Sequence, residues 1–342
     1  GNYNVVVGDE AGTAITTGDQ NTGIGYEALN DTTTGGNNTS VGSISLSANT
    51  TGHSNVAVGQ AALTVSTTGT SNTAVGKSAG EQVTTGIQNT LIGAFAGDAI
   101  TTGTYNVALG TSALSATTTA SYNSALGADS LVTNTTGAQN VAVGYNALNA
   151  NTTASNNTAV GSSALLVNTT GADNTALGYA TLTANTTGTL NTASGSNALR
   201  YNTTGDNNTA LGRLALYTNT TASNNTAVGL SALGANTTGT DNVALGVNAL
   251  DANISGNRAV AIGVNALGSQ TSSVNNYNVG VGYGAGESVT TGVQNTIIGG
   301  ACGSAITTGS YNSLLGVTAG DAITTASNNT AIGHAALTAN TT

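Results

Sequence analysis

A glycine closes each phrase of the type Asn-Thr-Ala-Val-Gly, and it recurs every 17 residues. It stands at Gly8, Gly25, Gly42 and onward to Gly263 without a change of step. The next is Gly282, a step of 19, after which Gly299, Gly316 and Gly333 resume the spacing of 17. Twenty repeats and one two-residue insertion within 268–277 account for all 342 residues, as one continuous array over 1–342. A fixed period of this length is the mark of a solenoid, in which each repeat stacks on the next. Numbered from its Asn, the consensus is N-T-A-V-G-x-x-A-L-x-A-N-T-T-G-x-x. Seventeen residues are too few for a helix pair, and the 3.6-residue apolar spacing is absent. Two regions are strand-like, "NTAV" and the stretch that ends in "NTT", because β-branched residues hold fixed places there. Glycines at columns 5 and 15 supply the corners. The expected fold is all-β, a single parallel β-solenoid (β-roll or β-helix) of twenty 17-residue coils. At a strand spacing of ~4.8 Å it would be ~95 Å long.

Variation among the repeats locates the interior. Column 9 is Leu in most coils and Gly in six: Gly12, Gly80, Gly97, Gly286, Gly303 and Gly320. In those same coils column 12 becomes Ile15, Val83, Ile100, Val289, Ile306 and Ile323, where Leu coils with an alignable column 12 carry Asn, Thr or Ser. One branched aliphatic per coil comes from either side, so columns 9 and 12 are expected to reach the same interior space. Burying it is worth about 1.5–3 kcal/mol, and leaving both places small would open a cavity. The aliphatics of column 4 and the Ala of column 8 are expected to supply most of the remaining core. Stacking puts like on like, so columns 1 and 12 should form Asn ladders and columns 13 and 14 Thr ladders.

Composition excludes several classes of function. Charged residues are 5 % of the chain, with four Lys and Arg against fourteen Asp and Glu. A net charge of −10 is the wrong sign for gripping phosphates, so no nucleic-acid partner is expected. No apolar run approaches the ~18 residues of a membrane span. Low complexity suggests disorder, but disorder usually comes with Pro and high charge, and this chain has no Pro.

The phrase N-T-A-V-G-x-x-A, at 157–164 and 225–232, resembles the head repeats of trimeric autotransporter adhesins. It is similar also to repeats of phage tail fibres and bacterial surface fibre proteins. The resemblance covers the whole chain. It implies a left-handed parallel β-roll, three chains side by side, and adhesion at a cell surface or in a virion fibre. Head repeats of that family are shorter than 17, so handedness and trimerisation are implied by the resemblance alone. The phrase V-G-x-x-A-L also looks like the hexapeptide repeat of left-handed β-helix acyltransferases. Seventeen is not a multiple of six, however, and His53 and His334 lie far apart with few basic residues to serve an acyl carrier. No enzyme and no cofactor are expected.

Few residues stand out as sites. Glu81 and Asp98, at column 10 of successive coils, are weak metal candidates, since calcium favours clustered oxygens. Tyr26, Tyr145, Tyr179 and Tyr283 occupy column 6, and Tyr3, Tyr105, Tyr122, Tyr277 and Tyr311 column 17. An exposed Tyr can stack on a sugar, so the column 6 group is the candidate glycan surface. Cys302 takes the place of the column 8 Ala and reads as a small buried residue. Asn-Thr-Thr matches the N-glycosylation acceptor many times, but the ladders need the same residues.

The closing phrase, 336–342, joins in register to the opening one, as if both were cut from the middle of a repeat. Two readings follow: a window on a longer array, or a subunit that stacks head to tail. The expected function is an extracellular structural fibre segment or filament subunit with a spacer or adhesive role, associating with itself as a head-to-tail filament, a homotrimer, or both. The alternatives are a fibre that binds surface glycans or a receptor, and an ice-binding solenoid with regular Thr columns.

Overall fold

A computed structural model describes residues 1–341; Thr342, the last residue of the closing phrase, lies outside the described residues. The chain groups into two compact units, Gly1–Ala172 and Asp173–Thr342. The first carries ten three-residue strands, from β1 (Val5–Val7) to β10 (Thr158–Val160). The second carries ten more, from β11 (Thr175–Leu177) to β20 (Thr330–Ile332). Within each unit every strand pairs in parallel with the next one along the chain. Val56 faces Thr73 in the first unit and Thr209 faces Thr226 in the second. Each unit is a parallel β-solenoid with one strand per coil.

The strand is columns 2–4 alone. The stretch ending in Asn-Thr-Thr, expected to be strand-like, is a bend in every coil whose phrase is fully described, except the lengthened one. Its backbone still bonds to the neighbouring coil, as in Thr84 N–H to Thr101 C=O at 2.9 Å. Coil-to-coil bonds run around the circumference: Gly80 N–H to Ala96 C=O, Gln82 N–H to Asp98 C=O, and Gln88 N–H to Thr70 C=O. Two tight turns close inside the coil, Ala79 N–H to Gly76 C=O and Val83 N–H to Gly80 C=O. Columns 7, 9 and 17 have positive φ, as at Ser78, Gly80 and Ser71. These reversals of backbone hand keep the strand to three residues.

The interior differs from the expected one at column 4. Strand side chains alternate, and the inward one is column 3. Ala57, Ala74, Ala142 and Ala210 are fully buried, while the column 4 residues Leu109 and Leu211 are 46 % and 38 % exposed. The core is column 3, the Ala of column 8, and columns 9 and 12. It is narrow because the short strand and two turns bring opposite walls together, so Ala at column 3 fills the gap beside a column 9 Leu, and a larger residue enters column 3 only where column 9 is Gly.

Columns 9 and 12 do meet. A Cβ on Gly97 would lie 2.8 Å from Ile100 Cδ1, and one on Gly80 3.3 Å from Val83 Cγ2. On Gly12, Gly303 and Gly320 it would stand 3.0, 2.9 and 3.1 Å from Ile15, Ile306 and Ile323 Cδ1, and on Gly286 3.3 Å from Val289 Cγ2. Column 3 takes part as well. Leu91, Ile297 and Leu314 replace Ala there and press on the same glycines. The exchange has a backbone reason. The column 9 Leu sits at φ near +50, as in Leu148 and Leu165, which costs roughly 1–2 kcal/mol. Its full burial returns about 1.5–3 kcal/mol, so Leu there is a small net gain. Gly at column 9 relieves the strain and leaves the filling to columns 12 and 3. Ile100→Ala should therefore cost about 2–4 kcal/mol by opening a cavity. The denaturant midpoint measures it; a loss below 1 kcal/mol would mean that Leu91 fills the space alone.

The Asn ladders hold the corners. At column 1, Asn89 Oδ1 accepts the backbone N–H of Asn106 at 3.0 Å and its Nδ2 donates to Gly103 C=O at 2.9 Å. At column 12, Asn151 Nδ2 donates to Asn134 Oδ1 at 2.8 Å. The Thr ladder is column 13 only: Thr33 Oγ1 donates to Thr50 C=O and Thr50 Oγ1 to Thr67 C=O, both at 3.1 Å. Column 14, as at Thr34, Thr51 and Thr85, faces solvent.

The insertion falls in the coil between Val260–Ile262 and Val279–Val281, whose pairing steps by 19. Thr271 N–H still reaches Thr290 C=O at 2.8 Å, and Asn257 pairs with Asn275. The extra residues bulge outward at Ser273 and Val274, both exposed. That coil has Ala259 in place of the column 1 Asn. Gln270 Oε1 takes over as acceptor for Asn278 Nδ2 at 3.0 Å.

Candidate functional surfaces

The strand face is the most regular surface on either unit. Its outward residues are columns 2 and 4: Thr or Val, then Val, Leu or Ile, with Ser in a few coils. No charged residue occurs in any of the strands. Parallel sheets are normally covered on both faces, and here the outer cover is missing. Leu109, Leu177, Leu211 and Ile262 stand between 38 % and 46 % exposed, so each unit carries an apolar ribbon one strand wide. Sequence reasoning missed it because it assigned column 4 to the core. The signal was present: Ala at column 3 lies between two larger residues in a strand whose side chains alternate.

The column 6 tyrosines are well exposed. Tyr26, Tyr145, Tyr179 and Tyr283 project at separate coils, each without an aromatic partner in the same column one coil away. They form no platform. The carboxylate of Glu27, by hydrogen bond and charge, pushes the Tyr26 phenol up to about 12. At column 17, Tyr105 and Tyr122 stack. In the second unit the same column holds a polar chain. Asn224 Nδ2 donates to Asp241 Oδ1 at 3.2 Å, Arg258 Nε lies 3.8 Å from Asp241 Oδ2, and Arg258 Nη1 donates to the Tyr277 hydroxyl at 2.8 Å.

Glu81 and Asp98 are neighbours on successive coils. Burial pushes the Asp98 carboxyl up, and the Glu81 charge adds to it. Among the described residues no three His, Cys, Asp or Glu side chains converge where a metal could sit. The second unit has two shallow depressions at column 10, where Gly234 and Gly268 flank Asp251. Burial raises the Asp251 carboxyl. Cys302 is buried, and its thiol is pushed up by that burial. His53 and His334 are both exposed, His334 in a turn and His53 in irregular backbone, and lie far apart in sequence. Among the described residues no helix is long and apolar enough to cross a membrane. Neither a protein-family model nor a curated protein matches the sequence, so function has to be argued from these surfaces.

Proposed function

We propose that this chain is a structural segment of an extracellular fibre, serving as spacer, shaft or filament subunit, and that copies associate side by side through the strand face. The observation that carries this reading is the uncharged ribbon of Val, Leu and Ile on the outside of a parallel sheet. Apolar surface repeated from coil to coil, interrupted at Thr192–Ser194, is costly to leave in water, at about 25 cal/mol per Å². Contiguous exposed patches of this kind mark association sites. The resemblance to surface-fibre repeats points the same way. The chemistry asked of the protein is mechanical: backbone bonds around each coil and buried amide ladders resist bending and proteolysis.

The ribbon also bounds the strength of association. One strand face about 10 Å wide over ten coils at ~4.8 Å offers roughly 500 Å² per unit, so a single unit falls below the ~800 Å² per partner of a standard interface. Association should therefore strengthen as coils are added. Sedimentation of the whole chain tests this. The wild type is expected to form concentration-dependent oligomers. Leu109→Asp with Leu126→Asp and Val143→Asp should shift them to monomer while the β-sheet circular dichroism stays. A wild type that remains monomeric at high concentration defeats the side-by-side reading.

A further inference from the structure

Oxidants acting on a protein surface are normally taken up by cysteine and methionine. This chain has no Met and no Trp, and Cys302 is buried. One-electron oxidation at the surface is left to the phenols. Most of the eleven tyrosines stand alone. The column neighbours of Tyr145 are Ala128 and Ser162, and those of Tyr311 are Gln294 and Asn328. Tyr105 and Tyr122 differ. They occupy column 17 of successive coils, their ring centroids are 5.1 Å apart, and their planes lie 4° from parallel. Both are exposed, at 43 % and 58 %. Their backbones are anchored to the coils that precede them, Tyr105 N–H to Ile87 C=O and Tyr122 N–H to Thr104 C=O, each at 3.1 Å. Thr104 is tied in turn to Ser121 Oγ through its N–H at 3.0 Å.

We propose that Tyr105 and Tyr122 form an oxidative cross-linking site, joined as an intrachain dityrosine when a haem peroxidase and hydrogen peroxide act on the folded protein. Each phenol gives one electron and one proton to the oxidised peroxidase. The two phenoxyl radicals couple through ring carbons ortho to oxygen, forming one C–C bond. Each coupled carbon then gives up its hydrogen as a proton, one proton returns to each phenolate oxygen, and the rings regain aromaticity. The peroxide ends as two waters, and the protein loses two hydrogen atoms in all. The stack holds the partners in reach without backbone motion, so coupling within the pair is effectively unimolecular. Tyr201 and Tyr217 supply an internal comparison. Their centroids are 5.0 Å apart, but the planes cross at 75°, so the rings do not overlap face to face. The bridge would tie two adjacent coils covalently, and it does not depend on the fibre reading.

The test uses the full chain, dilute and folded, with a haem peroxidase and hydrogen peroxide. The expected product is a monomer lighter by two hydrogen atoms, with blue dityrosine fluorescence and a proteolytic peptide pair linking Tyr105 to Tyr122. Tyr105→Phe and Tyr122→Phe, which keep the ring and the stack, should each abolish it. Tyr201→Phe should leave it unchanged. Undiminished fluorescence in Tyr105→Phe, no dityrosine in the wild type, or product found only in covalent dimers would each overturn the proposal.

Discussion

Gly212→Ala should destabilise the second unit by about 3–5 kcal/mol, a large effect for a single methyl group. Gly212 has φ +135, and a Cβ there would lie 2.5 Å from the carbonyl oxygen of Gly229 and 2.7 Å from its carbon. The first problem is conformational, since that region of backbone space is open only to glycine and costs other residues about 1–3 kcal/mol. The second is steric, and the obstacle is backbone. Gly212 N–H is bonded to Ser194 C=O and Gly229 N–H to Leu211 C=O, both at 2.8 Å, so neither coil can shift without breaking the ladder. Gly300→Ala is the matched control. Its Cβ would meet nothing within 4 Å and its φ is not in the left-handed region, so it should change stability by less than about 1 kcal/mol, through the unfolded chain. Urea denaturation gives both numbers. Equal effects at the two positions would mean that the column 5 corner is not what holds the coils in contact.

Asn89→Ala is expected to cost about 3–5 kcal/mol, because truncation strands several buried groups, each worth about 1–3 kcal/mol. Asn89 Oδ1 is the acceptor for the backbone N–H of Asn106, its Nδ2 donates to Gly103 C=O, and the same group donates to Asn72 Oδ1 at 3.1 Å. All of these lie out of reach of solvent. Thr85→Ala, four residues away on the exposed column 14, should stay within about 0.5 kcal/mol. Hydrogen exchange adds the spatial detail: the amide of Asn106 should lose protection in the Asn89 variant ahead of distant coils. If Asn89→Ala behaves like Thr85→Ala, water has replaced the amide and the ladder is dispensable.

The period, the corners and the partnership of columns 9 and 12 were legible because each leaves a trace that repeats can cross-check. Ile100 appears only where Gly97 does, and no structure is needed to see that one compensates the other. The facing of the strand was not legible. Hydrophobicity assigns Val143 to the interior over Ala142, and the structure does the reverse. Interior width is set by turns whose positive φ values fall on Ser, Asn, Leu and Tyr, residues that do not announce a left-handed backbone as glycine does. The apolar surface was misplaced for the same reason. The stacked tyrosines could have been found, since Tyr105 and Tyr122 are one period apart.

A stack of near-identical coils has a translational ambiguity. A coil docked one step out of place, in the same chain or against a second copy, would meet almost the same pattern of Ala, Asn and Thr. A displacement of 17 residues changes little wherever neighbouring coils agree. The coil around Val260–Ile262 and Val279–Val281, with its step of 19, its Ala259 and its substitute acceptor Gln270, agrees with no other. It works as an index mark on a ruler of equal divisions. A slipped pairing would set Gln270 against a column 1 Asn already served, and would leave Asn278 Nδ2 with the Gly292 carbonyl as its one remaining acceptor. The lengthened coil thus gives a periodic chain one place where the count can be checked.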